Sequence, residues 1–435
     1  MDKYAEIRVP IASDNPSIRR KNNKCVLCGK CKDVCKKQMG VAGYWEYNSE
    51  DIVCINCGQC ANVCPVNAIV ETEDSEALMQ AIQNPNKKVV IITAPAVRAS
   101  LGETFDMEPG ECVTGKMVSA LRALGADYVF DVTYGADLTI MEEASELLDR
   151  IKNNKTMPMF TSCCPAWVKF VETFYPQNIP NLSTCKSPIS MQASVIRNYF
   201  AKNEGLKPED LYVVAVVPCV AKKFEIKREE LSGIYGQDTD LAISVRELGR
   251  LLKKQKINLS KQKEGSFDSA LPMGTGAGVI FGASGGVMEA CVRTAHYFAT
   301  GEALHQDALK FKKMRGYKSV KTATINLLGR ELKLCVVFGT INARDILNKL
   351  KSKKIDMLEV MACPNGCVGG GGQPIPKDND QAVVKRADCL FKEDEKLELK
   401  ASYQNAEIQK MYKEFMQTPL SDKAEKYLHT EYKKR

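Results

Sequence analysis

The chain has 435 residues, of which 44% are apolar, so it is long enough for two or three domains with substantial hydrophobic cores. It contains no apolar stretch of transmembrane length, and its first residues lack the apolar run of a signal peptide. The formal charge of +8 and the pI near 8.6 are too small an excess to indicate a nucleic-acid-binding protein. We therefore expect a cytoplasmic protein that binds neither nucleic acid nor membrane.

The 18 cysteines are the outstanding feature of the composition, and only three histidines accompany them. Because thiols in the cytoplasm are kept reduced, metal ligation explains so many cysteines better than disulfide bonds do. The three histidines are too scattered along the chain to anchor a histidine-based site.

Two matched cysteine runs lie at 25–35 and 54–64, each with the spacing C-x2-C-x2-C-x3-C. In bacterial two-cluster ferredoxins this spacing binds two 4Fe–4S clusters, and the fourth cysteine of each run ligates the other cluster. The ligands predicted for the first cluster are Cys25, Cys28, Cys31 and Cys64. Those predicted for the second cluster are Cys54, Cys57, Cys60 and Cys35. A zinc site is the alternative, but zinc motifs stop at four ligands and fit two complete runs poorly.

Basic residues are concentrated around the first cysteine run. They are Arg19, Arg20, Lys21, Lys24, Lys30, Lys32, Lys36 and Lys37. Such a collar would steer an acidic electron carrier toward the cluster, although an ordinary solvated surface explains it equally well.

After about residue 75, apolar β-branched runs alternate with helical patterns. Strands are predicted at 88–93, 127–132, 211–217, 332–338 and 356–361. Helices are predicted at 113–124, 137–153, 188–202 and 340–350. This alternation predicts an α/β domain with mostly parallel sheets. The predicted domains are a ferredoxin-like α+β domain over 1–75, the α/β domain over 76–390 and a helical C-terminal tail over 391–435.

Three further cysteine motifs each follow an apolar strand: TSCCPAW at 161–167, VPCVAKKFE at 217–225 and EVMACPNGCVGGGGQP at 359–374. Sites in α/β domains usually lie in loops at the C-terminal ends of strands, so four or five of these cysteines are predicted to converge on one metal cluster. The glycines of the third motif would let the backbone approach a bulky ligand closely. Buried structural thiols are the better interpretation for the cysteines without a motif, which are Cys112, Cys185, Cys291, Cys335 and Cys389.

The glycine-rich stretch 274–286 has neither the P-loop nor the dinucleotide-binding pattern. We interpret it as a loop packed tightly over a bound cofactor.

The three motifs together resemble the signatures of the iron-only (FeFe) hydrogenases, T-S-C-C-P-x-W, M-P-C-x-x-K-x-x-E and E-x-M-x-C-x-x-G-C-x-x-G-G-G-Q-P. Val217, in place of methionine, is the one departure within these signatures. The resemblance extends from about residue 20 to the C-terminus. The chain looks like a compact monomeric member with two accessory 4Fe–4S clusters and a two-lobed α/β catalytic domain.

The resemblance implies reversible oxidation of H2 to protons and electrons at an H-cluster, as part of anaerobic hydrogen metabolism. This cofactor is a 4Fe–4S cubane joined by a cysteine to a two-iron unit that carries CO, cyanide and a bridging azadithiolate. The implied cubane ligands are Cys164, Cys219, Cys363 and Cys367, the last being the bridge. Lys222 would hold a cyanide. The pocket residues implied or predicted with it are Ala94, Pro95, Phe281, Gly282, Met361 and Gln373.

The resemblance also implies a proton relay through Cys163, Glu143, Ser183, Glu146 and Arg150, the last near the surface. From the sequence alone, an ordinary solvated Glu146–Arg150 pair on a helix is the better explanation of that spacing, and the family pattern reverses this preference. The implied partners are ferredoxin or flavodoxin as electron carrier, and maturation proteins that insert the two-iron unit.

Val217, Val220 and Ile189 differ from residues common in the family, and we expect all three to alter the pocket. Two alternatives to a catalytic ferredoxin hydrogenase remain: a non-catalytic iron–sulfur relative without the two-iron unit, and a hydrogen sensor on the same fold. Because the chain keeps Lys222 and Cys163, the catalytic interpretation is preferred.

Overall fold

The computed structural model describes residues 4–44, 52–305, 308–314, 318–376 and 378–435. Its strands are β1 (Ile18–Arg20), β2 (Ile69–Glu71), β3 (Lys88–Thr93), β4 (Tyr128–Asp131), β5 (Met159–Phe160), β6 (Leu211–Val217), β7 (Leu241–Ser244), β8 (Lys312–Lys313), β9 (Val320–Leu327), β10 (Arg330–Phe338) and β11 (Met357–Met361).

The helices follow the same order along the chain. They are α1 (Lys30–Lys37), α2 (Gln59–Asn62), α3 (Ser75–Gln83), α4 (Thr114–Leu124), α5 (Thr133–Lys152), α6 (Pro165–Phe174), α7 (Pro188–Val195), α8 (Ala201–Asn203), α9 (Lys222–Glu225), α10 (Val245–Lys254), α11 (Gly276–Ile280), α12 (Gly286–Thr300), α13 (Thr340–Asn348), α14 (Leu350–Lys353), α15 (Asn379–Lys396), α16 (Ala406–Met411) and α17 (Asp422–Leu428). Among the described residues, no helix has the length and apolarity needed to cross a bilayer.

Two sheets divide the α/β part into two lobes. The first has the order β4-β3-β6-β7 and is wholly parallel. The second has the order β5-β11-β10-β9-β8, in which β5, β11 and β10 are parallel and β9 and β8 are antiparallel. Each sheet has its own apolar core. The predicted two-lobed α/β fold with mostly parallel sheets is therefore confirmed.

The residues that follow the C-terminal ends of four strands lie close together. β3 leads into Ala94 and Pro95, β6 into Pro218 and Cys219, and β11 into Cys363. The short β5, which pairs with β11, leads into Cys163 and Cys164. Parallel strands place such loops at one edge of a sheet, and here the edges of both lobes face the same cavity.

The N-terminal domain is a small α+β unit in which β1 and β2 pair antiparallel, and helices α1 and α2 begin within the two cysteine runs. Gly29 and Gly58 immediately precede these helices with φ of 78° and 75°, a left-handed conformation that glycine adopts at little cost. The domain contacts the α/β lobes, since the Gln59 side chain donates to the Gly369 carbonyl at 2.9 Å.

The C-terminal tail is continuous with the body. Helix α15 runs through residue 390, where we predicted a domain boundary. Arg386 on this helix donates to the Val368 and Pro374 carbonyls, both at 2.9 Å, and pairs with Glu103 at 2.6 Å. The tail thus helps to hold the loop of the third cysteine motif.

Candidate active site

The eight ferredoxin-type cysteines fall into two groups. Cys25, Cys28, Cys31 and Cys64 line one small cavity together with Arg8 and Arg20. Burial raises the pKa of Cys60, and the neighbouring charges of Cys54 and Cys35 add to the shift. The fourth cysteine of each run therefore lies with the opposite group, as the spacing predicts. Buried thiolates repel one another, so a cationic metal cluster is what such a donor set fits.

The four cysteines predicted to hold the larger cluster also lie together. Burial raises the pKa of Cys363, and the charges of Cys219, Cys57, Cys164 and Cys367 raise it further. Burial also raises the pKa of Cys219 to about 12, with Cys164 adding to the shift. Four soft thiol donors in one buried place are what a 4Fe–4S cubane needs. Cys57 of the second ferredoxin run adjoins this group.

A cavity opens beside these thiols, and both Cys219 and Cys367 line it. Of the residues predicted to bind the cofactor, six line this cavity: Ala94, Pro95, Lys222, Phe281, Gly282 and Met361. Its walls are otherwise almost entirely apolar, which keeps the local dielectric low. Such a chamber fits a bulky, largely apolar cofactor unit attached at Cys367.

Gln373 is not among the residues that line the cavity. Its Oε1 accepts a hydrogen bond from Ser100 at 2.6 Å, and its amide donates to the Cys367 carbonyl at 3.3 Å. Gln373 therefore holds the backbone of Cys367 in place.

Lys222 extends from helix α9 into the cavity. Its Nζ lies 2.7 Å from Glu225 Oε2 and 3.3 Å from the Cys163 carbonyl oxygen. Burial by itself would lower the pKa of Lys222, but the Glu225 carboxylate and its hydrogen bond raise that pKa above its ordinary value. Ser187 donates to the same carboxylate at 2.9 Å. The side chain is thus a fixed ammonium in an apolar wall, suited to hold an anionic ligand atom.

Glu146 is the centre of a buried hydrogen-bond network. Its Oε1 accepts from Arg150 Nη2 at 2.7 Å, and its Oε2 accepts from Ser183 at 2.6 Å. Arg150 also donates to the Leu182 carbonyl at 2.7 Å and is only 6% exposed. The solvated Glu–Arg pair considered from the sequence is therefore wrong, because α5 is covered by α7 and α12. Arg150 nevertheless lies two residues before the exposed Lys152, at the end of the network nearest the surface.

Glu143 lies one turn earlier on α5 and is fully buried. Neither of its carboxyl oxygens has a hydrogen-bond partner among the residues that the structure describes. Burial, followed by the charge of Glu146, raises the pKa of Glu143 to about 8, and the nearby Ser162 amide offsets this only in part. Glu143 thus holds a proton at neutral pH.

Cys163 lines the cavity and lies close enough to Glu143 for the charge of that carboxylate to affect the pKa of the thiol. Burial raises the pKa of Cys163 well above its ordinary value, and the charge of Glu143 is the next largest cause. A neutral thiol, a neutral carboxyl and the Ser183–Glu146–Arg150 network therefore follow one another away from the cavity.

The glycines of the third motif have a packing role that the sequence analysis did not predict. A Cβ at Gly371 would lie 2.2 Å from the Cys57 carbonyl oxygen, and one at Gly370 would lie 2.4 Å from that of Pro218. The run therefore allows backbones to pack together, including that of the ferredoxin domain. The close approach of this backbone to a bulky ligand stays a prediction.

The stretch 274–286 is likewise mostly structural. A Cβ at Gly278 would lie 2.6 Å from the Thr133 carbonyl oxygen, so this part packs against the start of α5. Of the stretch, Phe281 and Gly282 line the cavity, and the interpretation as a cofactor cover holds for these two residues alone.

Val217 and Ile189 line the cavity, as expected of departures that alter the pocket. Val220 does not line it: a Cβ at Gly58 would lie 2.4 Å from Val220 Cγ2, so this valine packs against the ferredoxin domain. Its apolar side chain is explained by that interface.

Three buried charged residues support the site, and the sequence analysis assigned none of them a role. Arg98 pairs with Asp131 at 2.7 Å and donates to the Pro95 carbonyl at 3.1 Å, which fixes one wall of the cavity. Glu359 accepts from the Gly285 and Met288 amides at 2.6 and 2.7 Å, at the start of α12. Arg98 and Asp131 were marked in the sequence only as single charges within apolar runs, whereas Glu359 was already the first residue of the third motif.

Comparison with known proteins agrees with this geometry. The family model described as iron only hydrogenase large subunit, C-terminal domain, matches residues 87–371. That of the iron hydrogenase small subunit matches 380–435, and a 4Fe-4S binding domain matches 53–70.

The NADP-reducing hydrogenase subunit HndD of Solidesulfovibrio fructosivorans is 42% identical over 440 residues, covering 96% of this chain and 75% of that protein. A solved structure of apo [FeFe]-hydrogenase HydA1 from Chlamydomonas reinhardtii has a TM-score of 0.76 and 36% identity, covering 83% of this chain and 99% of its own. Protein NAR1 of Arabidopsis thaliana is 28% identical over 391 residues, covering 84% of this chain and 81% of its own. With its cysteine groups, its cavity and these matches, the chain belongs to the iron-only (FeFe) hydrogenase family, a family of oxidoreductases.

Proposed function

We propose that this protein is a ferredoxin hydrogenase that catalyses the reversible reaction H2 ⇌ 2H⁺ + 2e⁻. The observation that carries the proposal is the cavity in which Cys367, Lys222 and Cys163 meet. It combines a metal-binding thiol, a fixed cation and a proton-carrying group within an apolar enclosure. Those are the elements that heterolytic H2 chemistry requires of a protein.

The cofactor we propose is an H-cluster. Cys164, Cys219, Cys363 and Cys367 would hold its cubane, and Cys367 would join the cubane to the two-iron unit. This assignment is supported because Cys367 belongs both to the thiol group and to the cavity wall. When bound, the cofactor supplies an open metal position and an amine base for splitting H2.

Lys222 would bind a cyanide of the two-iron unit. Its ammonium is already held by Glu225 and the Cys163 carbonyl, so little side-chain entropy remains to be lost on binding. Ala94, Pro95, Phe281, Gly282 and Met361 would enclose the unit and exclude water. Gln373 would act indirectly, by holding the Cys367 backbone.

Protons would pass between the cavity and the exterior through Cys163, Glu143, Ser183, Glu146 and Arg150. The hydrogen bonds from Ser183 and Arg150 to Glu146 form the outer part of this route. Cys163 and Glu143 are both neutral at pH 7, so each has a proton to donate and regains it from the next group.

Electrons would pass through two 4Fe–4S clusters. Cys57, of the second cluster, adjoins Cys363, which makes the second cluster the one nearest the active site. The first cluster would exchange electrons with ferredoxin or flavodoxin, since Cys28 is exposed and the exposed apolar Val26 lies two residues before it. We further propose a cytoplasmic monomer whose two-iron unit is inserted by maturation proteins.

The test is H2-driven reduction of a viologen dye by protein reconstituted anaerobically and supplied with the two-iron cofactor. Rapid reduction, absent from a Cys367→Ala variant with intact ferredoxin clusters, would support the proposal. If all cubanes were present and no dye were reduced, the chain would instead be a non-catalytic relative, as its likeness to NAR1 allows.

A further inference from the structure

Two thiols with no part in the proposed reaction lie in contact with each other. Cys112 is exposed and precedes helix α4, whereas Cys389 is buried on helix α15. Each thiol is the largest influence on the pKa of the other, although 276 residues of chain separate them. The sequence analysis had assigned both as isolated structural cysteines.

The contact belongs to a longer interface, in which the segment before α4 runs along α15. Lys385 Nζ lies 3.5 Å from Glu108 Oε2, and a Cβ at Gly110 would lie 2.5 Å from the Lys385 carbonyl oxygen. Cys389 is one turn beyond Lys385 on the same helix face, and Cys112 is two residues beyond Gly110. The two backbones are therefore held side by side where the thiols meet.

The surroundings make Cys112 the reactive partner. The hydrogen bond from Cys389 lowers the pKa of Cys112, and a hydrogen bond with Thr114 and the charge of Arg98 act in the same direction. Thr114 Oγ1 is 3.3 Å from the sulfur. Burial of the sulfur and the charge of Glu393 oppose these effects, but the net shift of the Cys112 pKa is downward. An exposed thiolate beside a buried second thiol is the arrangement of a redox-active pair.

We propose that Cys112 and Cys389 form a thiol–disulfide exchange site that takes a low-molecular-weight disulfide as its oxidant. The Cys112 thiolate attacks the disulfide RSSR, forms a mixed disulfide and releases RS⁻. Cys389 then loses its proton to solvent and attacks the Cys112 sulfur, which releases the second RS⁻. Overall, the two cysteines lose two electrons and two protons, and RSSR is reduced to 2 RSH.

The bond would join two segments that support the cavity. Arg386, three residues before Cys389, holds the third-motif loop. Leu390, one residue after Cys389, packs against Gly282 of the cavity wall, since a Cβ at Gly282 would lie 2.4 Å from Leu390 Cδ1. On the other side, the Val113 amide donates to the Arg98 carbonyl at 2.9 Å. Oxidation would thus fix α15 to the segment behind the cavity wall. The site does not depend on hydrogenase activity.

The experiment uses the full cluster-loaded chain under anaerobic conditions. After incubation with oxidised glutathione, free thiols are alkylated and the digest is analysed by mass spectrometry. We expect a linked peptide pair containing Cys112 and Cys389 that is lost on treatment with dithiothreitol. Cys291 and Cys335, whose burial raises their pKa, serve as internal controls and are expected to be alkylated as free thiols. Recovery of both Cys112 and Cys389 as free thiols would overturn the proposal.

A variant tests the order of attack. In Cys389→Ser, Cys112 is expected to accumulate as a stable glutathione mixed disulfide, because no second thiol can release it. In Cys112→Ser, Cys389 is expected to stay unmodified. If Cys112 remained free in the first variant, or Cys389 took up glutathione in the second, the assignment of Cys112 as the attacking thiol would be wrong.

Discussion

Ser183 Oγ donates a hydrogen bond of 2.6 Å to Glu146 Oε2, and so links the loop after β5 and α6 to the middle of helix α5. The Ser183 amide is itself held by the Phe160 carbonyl at 2.7 Å, at the end of β5. The serine is therefore fixed by the sheet and its hydroxyl by the helix. That arrangement makes it a specific link in the proposed proton route.

Replacing Ser183 with alanine should interrupt this link. We expect H2-dependent dye reduction to fall about 10²-fold in Ser183→Ala, since a positioned proton-transfer group is lost. The control is Ser145→Ala on α5, next to Glu146, whose hydroxyl donates to the Met141 carbonyl at 2.8 Å. Equal rates in the two variants would exclude Ser183 from the route.

Cys163→Ala should separate catalysis from cluster binding. We expect turnover to fall by about 10²–10⁴-fold, because the group nearest the cavity can no longer exchange a proton. Iron content and the infrared bands of the two-iron unit should remain, since Cys163 is not a proposed ligand. Cys335→Ala, in the centre of β10, should retain turnover. Normal turnover in Cys163→Ala would show that the route starts elsewhere.

Glu143 should make stability depend on pH. Its pKa is about 8 in the folded chain against an ordinary value of 4.5, so between these values the folded state holds a proton that the unfolded state has released. The free energy of unfolding therefore falls as pH rises through this window, by up to about 1.4 kcal/mol per pH unit.

Glu143→Gln removes that contribution. The unfolding temperature of the variant minus that of the unsubstituted chain should increase as pH rises from about 5.5 to 7.5, which lies inside the window set by the raised pKa. Thermal unfolding of both proteins at several pH values measures this difference. A difference that stays constant with pH would contradict the raised pKa of Glu143.

Lys222→Met should weaken retention of the two-iron unit. The loss of one charged hydrogen bond corresponds to roughly 10- to 100-fold weaker binding, while iron in the cubanes should be unchanged. Infrared spectroscopy and iron analysis measure the two quantities. Because the variant leaves Glu225 unpaired, a Lys222→Met, Glu225→Gln double variant removes that buried charge. Restored retention in the double variant would show that Lys222 acts only by neutralising Glu225. The exposed Lys227→Met is the surface control.

Gly371→Ala should disturb the contact between the ferredoxin domain and the loop of the third cysteine motif. Its Cβ would lie 2.2 Å from the Cys57 carbonyl oxygen, and such overpacking costs about 1–3 kcal/mol. We expect a lower unfolding temperature and slower electron transfer from the active site to an external acceptor. In Gly205→Ala the new Cβ meets nothing within 4 Å, so only the backbone cost of a positive φ remains. Equal effects of the two substitutions would argue against this contact.

Three strands of the first sheet, β3, β4 and β6, could be predicted, because long β-branched runs such as 88–93 and 211–217 are buried on both faces. The short β7 of the same sheet was not predicted. The antiparallel β9 was missed, since its alternating exposed and buried residues include lysine and threonine. Helix α5 starts at Thr133, four residues before the prediction, because its first turn packs on all sides and has no amphipathic pattern.

The sequence by itself determined the metal-binding chemistry, because ligand spacing within each cysteine motif is a local property of the chain. It also identified the cavity residues that follow strand ends. Only the tertiary structure decided which groups meet across the fold. The burial of Arg150, the packing of Val220 and Gly371 against the ferredoxin domain, and the pairing of Cys112 with Cys389 all join segments distant in sequence. Such contacts depend on how whole elements pack together, and no local pattern specifies them.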